Sequence, residues 1–188
     1  RALEKAKSLP VDAIIFDLED AVSAEEKPAA RKLLAETLAE GGYGPRAQIV
    51  RINGFEMEWS ADDFDTIAAI GPQAILLPKV NGPTDVEALA SRLDARSETA
   101  GTTIWAMMET SLGILNAQEI AAAPRMAGFV MGTNDLGKEL NSRTRSAMTT
   151  SLQWCLLAAR AHGLVCVDGV YNAFKDEEGL RAECAEGR

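Results

Sequence analysis

Six short apolar runs limit what this chain can fold into: Ala13 to Phe16, Gln48 to Ile52, Ala74 to Leu77, Ile104 to Met108, Gly128 to Met131 and Leu164 to Val167. Each is nearly continuous in aliphatic residues rather than alternating, the pattern of parallel strands covered on both faces. Between them apolar residues recur at three- and four-residue spacing, which predicts helices over Ala30 to Leu38, Val86 to Leu93, Ile114 to Ala121 and Ser151 to Ala161. Strand and helix therefore alternate. The runs begin near positions 13, 48, 74, 104, 128 and 164, so one unit takes 24 to 36 residues. That is close to the ~31 obtained by dividing the about 250 residues of a TIM (β/α)8 barrel over eight units. A closed barrel then needs one strand before Arg1 and one after Arg188. The expectation is a single domain over 1–188, an α/β TIM barrel whose first and last units are missing from this chain. An open doubly wound sheet of six strands is the competitor.

The barrel is favoured by where the polar residues fall. Nearly every apolar run is followed at once by residues able to do chemistry: Glu19 and Asp20, Arg51 and Asn53, Lys79 and Asn81, Glu109 and Thr110, Asn134 and Asp135, Asp168 and Asn172. In a barrel such strand ends converge on one mouth. A doubly wound sheet would instead carry a Gly-rich phosphate turn after its first strand, and neither G-x-G-x-x-G nor a P-loop occurs here.

Composition removes several classes of function. At a net charge of -9 the chain is a poor match for nucleic acid, whose phosphates are bound by clustered Lys and Arg. No run approaches the ~18 apolar residues needed to cross a bilayer, so a soluble, cytoplasmic protein is expected. Cys155, Cys166 and Cys184 show no C-x-x-C spacing and read as reduced packing residues.

Two carboxylates stand at equivalent places in successive units. Glu109 ends Trp105-Ala106-Met107-Met108, and Asp135 follows Val130-Met131-Gly132-Thr133-Asn134. Neighbouring strand ends would bring the two acids together, and a divalent cation would remove their repulsion. Mg suits the pair better than Zn, because no Cys or His accompanies them and the only histidine, His162, falls at a helix end. The alternatives are an anion at a helix start for Glu109 and an N-cap for Asp135, and spacing alone leaves both open. Glu19 and Asp20 add acids at another strand end, either as acceptors for metal-bound waters or as an acidic rim before a helix. Arg51 is placed to grip a substrate carboxylate with two parallel hydrogen bonds, or to pair with Glu19 or Asp20, and the two roles can coexist. Backbone N–H groups of Gly132, Thr133 and Asn134, in a turn leading into a helix, are candidate donors to an acid.

The motifs FDLEDAV at 16–22, VRING at 50–54, ILLPKV at 75–80, METSLGILNAQEIA at 108–121, GTNDL at 132–136 and LVCVDGVYNAFKDEEG at 164–179 occur in this order over almost the whole chain. Together they resemble the citrate lyase beta-subunit-like lyases of the HpcH/HpaI aldolase superfamily, which include malyl-, citramalyl- and citryl-thioester lyases. The resemblance implies a barrel, Mg2+ held by Glu109 and Asp135, water-mediated support from Glu19 and Asp20, and a catalytic Arg51 on the oxo-acid. It also implies a CoA or acyl-carrier-protein thioester as substrate and a homotrimer or hexamer. Two features of such lyases are absent: an initial strand with a Leu-Phe-x-Pro stretch, and a C-terminal segment that in several relatives lends an acid to a neighbouring subunit's site. The general base is therefore unassigned. The loop from Lys138 to Ser146 is also short for the family.

The expected reaction is cleavage of a carbon–carbon bond. The hydroxyl and carboxylate of a hydroxyacyl thioester would chelate Mg beside Arg51, and loss of the hydroxyl proton would release a 2-oxo acid and an acyl thioester. A class II pyruvate aldolase of the same superfamily, and an inactive assembly or ligand-binding paralogue, are the alternatives.

Overall fold

The computed structural model describes residues 2–187. Helix α1 (Ala2–Ala6) precedes strand β1 (Ala13–Asp17), and the chain continues through α2 (Lys27–Glu40), β2 (Ala47–Arg51), α3 (Ser60–Ala68), β3 (Ala74–Leu77) and α4 (Pro83–Asp94). Strand β4 (Thr103–Met108) is followed by α5 (Ser111–Leu115) and α6 (Ala117–Ala121), and β5 (Met126–Met131) by α7 (Thr133–Glu139) and α8 (Thr149–Ala161). The last elements are β6 (Val165–Val167) and α9 (Glu177–Glu186). All six expected strands form, with ends displaced by at most two residues.

The sheet order is β1-β2-β3-β4-β5-β6, and every neighbouring pair is parallel. A doubly wound sheet reverses its order at a switch point and carries helices on both faces. Neither happens here. One core packs the strands against the helices, with Ile75, Leu77, Ile104, Met108 and Phe129 meeting Val86, Leu89, Ile120 and Cys155. The other face carries a separate cluster made of strand residues alone, Ile49, Ala74, Leu76, Met107 and Val130, with Trp105 packed on them. A curled parallel sheet with helices outside and side chains within is the wall of a barrel.

Three differences from the expected elements have physical causes. The run Ile114 to Ala121 is two short helices, because Asn116 leaves helical geometry and its amide donates to the Asn81 carbonyl at 2.8 Å. The strands are not all covered on both faces: Ile15 on β1, and Val165 and Val167 on β6, are exposed. These belong to the two edge strands, whose inner faces have no strand beside them among the described residues. Helix α3 was not among the expected helices, since it has only nine residues and buries three apolar ones, Phe64, Ile67 and Ala68. A single 3-10 turn (Ala24–Glu26) leads into α2, and Pro28 lies in the first turn of that helix.

The inner face is tightly packed at the β4–β5 pair. A Cβ added to Gly128 would lie 2.6 Å from the Trp105 ring. Gly128→Ala should therefore destabilise the fold by about 1–3 kcal/mol through overpacking. Urea titration should show a lower midpoint with an unchanged slope, and Trp105→Leu in the same chain should restore most of the loss.

Candidate active site

Because the strands are parallel, their C-terminal ends lie along one edge, and the residues that follow line a common cavity of about 520 Å3. Its walls include Asp17, Asp20, Arg51, Glu109, Gly132, Thr133, Asn134, Asp135 and Lys138, over an apolar floor of Met107 and Val130. Glu109 and Asp135 thus open onto one space, as do Arg51 and Asp20. Glu19 lies immediately behind, buried against Arg51.

Glu109 is the most constrained acid of the group, at 4% exposure. One carboxylate oxygen accepts the backbone N–H of Lys79 at 2.8 Å. To present that N–H, Lys79 takes a left-handed backbone conformation with φ of 51°. The rest of the side chain lies over Gly132, where a Cβ would come within 2.4 Å of the Glu109 Cβ. Burial pushes the Glu109 carboxyl up to about 7, and the nearby negative charges of Glu19 and Asp135 push in the same direction against the Lys79 N–H. Such a carboxylate lacks a full counter-charge. Asp135 sits in the first turn of α7, not at its N-cap, and its carboxylate meets the exposed Lys138 ammonium at 2.6 Å. Neither acid is occupied in capping its helix: Gly132 precedes α7, and Thr110 caps α5 by accepting the Gly113 N–H at 3.0 Å.

Arg51 and Asp17 form the second half of the site. The two residues are paired in the β1–β2 register, and Nε and Nη2 of Arg51 donate to the two oxygens of Asp17 at 2.7 and 2.5 Å. The remaining terminal nitrogen, Nη1, lies 2.9 Å from Glu19 and 3.7 Å from Asp20. Burial opposes the charge on Arg51, but the hydrogen bonds and charge of Asp17, with Glu19 and Asp20 behind them, raise its pKa above the ordinary value. Burial likewise works to raise the Asp17 carboxyl, and Arg51 overcomes it and holds the group below its ordinary range. For Glu19 burial wins, and the carboxyl is raised despite Arg51 and Lys79. Asp17 uses two of the five guanidinium N–H donors. The donors on Nη1 are not used by Asp17 and face Glu19 and Asp20.

The sequence did not single out Asp17, although a strand period of two puts it on the same face as Ile15 and so inside. What it could not supply was the register that sets Asp17 opposite Arg51. The Lys79 amide was equally invisible, since only backbone geometry makes it a donor to Glu109. Asn134 is not free at the rim, because its side chain and that of Asn172 exchange hydrogen bonds, the shorter being 2.7 Å. Thr133 packs against Gly169, where a Cβ would meet its hydroxyl oxygen at 2.2 Å. Cys155 and Cys166 are packing residues, with thiols pushed up by burial to about 12 and about 11, whereas Cys184 is exposed.

The donor set suits a hard cation. It consists of oxygens, it is crowded with negative charge around a buried acid, and the cavity lining contains no Cys or His. Among the described residues no three acids, Cys or His gather closely enough to enclose an ion alone. Two carboxylates with open positions left for water or substrate oxygens is the arrangement Mg2+ ordinarily takes. Glu109 and Asp135 therefore present donors that fit the ion.

Comparison with known proteins places the chain in a family. Residues 1–188 match the family described as HpcH/HpaI aldolase/citrate lyase. The chain belongs to that family. A (3S)-malyl-CoA thioesterase of Cereibacter sphaeroides is 59% identical over 191 aligned residues, which cover 100% of this chain and 65% of the relative. The citrate lyase subunit beta of Escherichia coli is 34% identical over 94% of this chain and 61% of its own length. Among solved structures, protein CitE of Mycobacterium tuberculosis in complex with magnesium, acetoacetate and coenzyme A is 30% identical, with a TM-score of 0.80 over 98% of this chain and 66% of that one. This HpcH/HpaI chain thus spans a little under two thirds of the length of the curated relatives it matches.

In this member of the family Gly132 has a specific steric task, to leave room for Glu109. Gly132→Ala should displace the Glu109 carboxylate from the Lys79 N–H in a crystal structure of the variant, with the circular dichroism of the fold retained. An unmoved carboxylate would show that Glu109 is not confined by this glycine.

Proposed function

We propose that the chain forms the metal- and acid-binding part of a Mg-dependent enzyme that acts on a malyl-type hydroxyacyl thioester, and that it hydrolyses the thioester bond. The observation that carries the metal and substrate class is the convergence of Glu109, Asp135 and Arg51 on one cavity, with Glu109 buried and under-neutralised. The choice of thioester hydrolysis is supported by the 59% identity to a (3S)-malyl-CoA thioesterase.

Glu109 and Asp135 would hold the ion, and Glu19 and Asp20 would accept hydrogen bonds from its waters. When bound, Mg2+ would supply Lewis acidity toward the substrate's oxygens and offset the charge of the acids around it. Arg51, its orientation fixed by Asp17, would turn its Nη1 donors from Glu19 to the hydroxy-acid end of the substrate. The Gly132 N–H, expected as a donor, is taken by the Met108 carbonyl at 3.0 Å; the backbone N–H groups of Thr133 and Asn134 would receive the free carboxylate, and the apolar floor of Met107 and Val130 would exclude water from beneath it. In hydrolysis a water adds to the thioester carbonyl and the C–S bond breaks, giving a hydroxy acid and a thiol. The carrier is proposed to be CoA, and the working protein a soluble cytoplasmic homo-oligomer. Among the described residues no helix is long and apolar enough to cross a membrane.

Carbon–carbon cleavage is the second reading, and the 34% identity to a citrate lyase beta subunit favours it. Products separate the two. Hydrolysis of malyl-CoA by the full-length protein should release free thiol and malate, whereas cleavage should release glyoxylate and acetyl-CoA with no free thiol. A thiol-reactive dye and a hydrazone assay for the oxo acid decide between them. Glu109→Ala should abolish Mg-dependent turnover in either case, and undiminished activity would rule out the metal assignment.

A further inference from the structure

Behind the site lies a polar network that the chemistry above does not use. Lys27, the first residue of α2, is 6% exposed, yet among the described residues it meets no carboxylate. Its ammonium donates to the carbonyls of Leu18 and Glu19, both at 2.8 Å, and lies 4.9 Å from the centre of the Trp59 ring. A cation here is doubly unfavourable, being withdrawn from water and placed at the positive end of a helix dipole. An apolar side chain of similar volume would avoid that cost but would leave the Leu18 and Glu19 carbonyls without this donor.

The carbonyls it holds belong to the turn that carries Glu19. On the cavity side of that turn, the Asp17 carboxylate accepts the N–H groups of Glu19 at 2.9 Å and Ala21 at 3.0 Å, besides binding Arg51. On the opposite side Leu18 O also accepts from the Asn53 side chain at 3.0 Å. Asn53 is itself fixed by the fully buried Asp63, which accepts both its backbone N–H and its side-chain amide, and Asp63 is held by Arg31 at 2.8 Å. The turn is thus fastened through its N–H groups on one side and its carbonyls on the other. With both fixed, the Glu19 side chain is directed toward Arg51 at 2.9 Å and Lys79 at 3.5 Å.

We propose that Lys27 is a positioning residue of the active site, which holds the Leu18 and Glu19 carbonyls so that the Glu19 carboxylate faces Arg51. Its consequence for turnover rests on the function proposed above, whereas its consequence for geometry does not. Asn53, Asp63 and Arg31 support the same turn, and Lys27 is the member that reaches both carbonyls.

The test uses Lys27→Met and Lys27→Arg in the full-length protein, with Glu19→Gln as reference. Lys27→Met should melt within a few degrees of the wild type, because it removes a buried charge at nearly constant volume. It should lower kcat/KM about 10- to 100-fold, the range for losing a group that orients ligands indirectly. Lys27→Arg, whose guanidinium can span two carbonyls, should recover part of the loss. Adding Lys27→Met to Glu19→Gln should cost little more than Glu19→Gln alone, since both act through one carboxylate. A crystal structure of Lys27→Met should show Glu19 turned away from Arg51. Retention of the Glu19–Arg51 contact in that crystal overturns the proposal, as do fully additive losses or wild-type kinetics for Lys27→Met. If the wild type itself fails to turn over malyl thioesters, the functional reading falls and the crystal comparison still decides the role of Lys27.

Discussion

A carboxyl group sealed from water among other carboxyl groups is the constraint around which this molecule is arranged. Glu109 stands at the end of a central strand with almost no exposure, and burial and two neighbouring acids make its charge costly. Several local oddities relate to it. Lys79 adopts a left-handed backbone and presents its N–H, position 132 is a glycine, and the opposite wall of the cavity carries a guanidinium locked to Asp17. Each of these either relieves the charge or makes room for the group that bears it. Such unrelieved charge is more common at functional sites than in structural cores, which ties the packing to the proposed metal chemistry.

The rigidity of the site comes from the sheet and from the buried polar network outside it. Parallel strands bring Arg51 beside Asp17 by register, and the helices behind them bring Lys27, Arg31 and Asp63 to the turn that follows β1. A turn at a strand end is ordinarily mobile. Here its donors and acceptors are nearly all taken, so the acid it carries is held in place before any ligand arrives. That preorganisation avoids part of the ordering cost at binding.

Much of this was legible in the chain itself. The apolar runs marked all six strands, and the acids at their ends marked the cavity, because strand ends in a parallel sheet share one edge. The helices were less complete. The periodicity through Ile114 to Ala121 hid a break at Asn116, caused by a hydrogen bond to Asn81 far away in sequence. Helix α3 buries too few apolar residues for a pattern to stand out. The composition of β1 and β6 matches that of the covered strands, so composition does not itself mark Ile15, Val165 and Val167 as exposed.

What the sequence determined by itself was the alternation of strand and helix, and the placing of Glu109, Asp135, Arg51, Glu19 and Asp20 at strand ends along one edge of the sheet. Those follow from residue type and order along the chain. The tertiary structure decided the strand order that excludes a doubly wound sheet, the pairing of Asp17 with Arg51, the Lys79 amide on Glu109 and the placement of Lys27 beneath Glu19. Each of these is a contact between segments distant in the chain, fixed by register and by backbone direction. Neither register nor backbone direction leaves a mark on local composition.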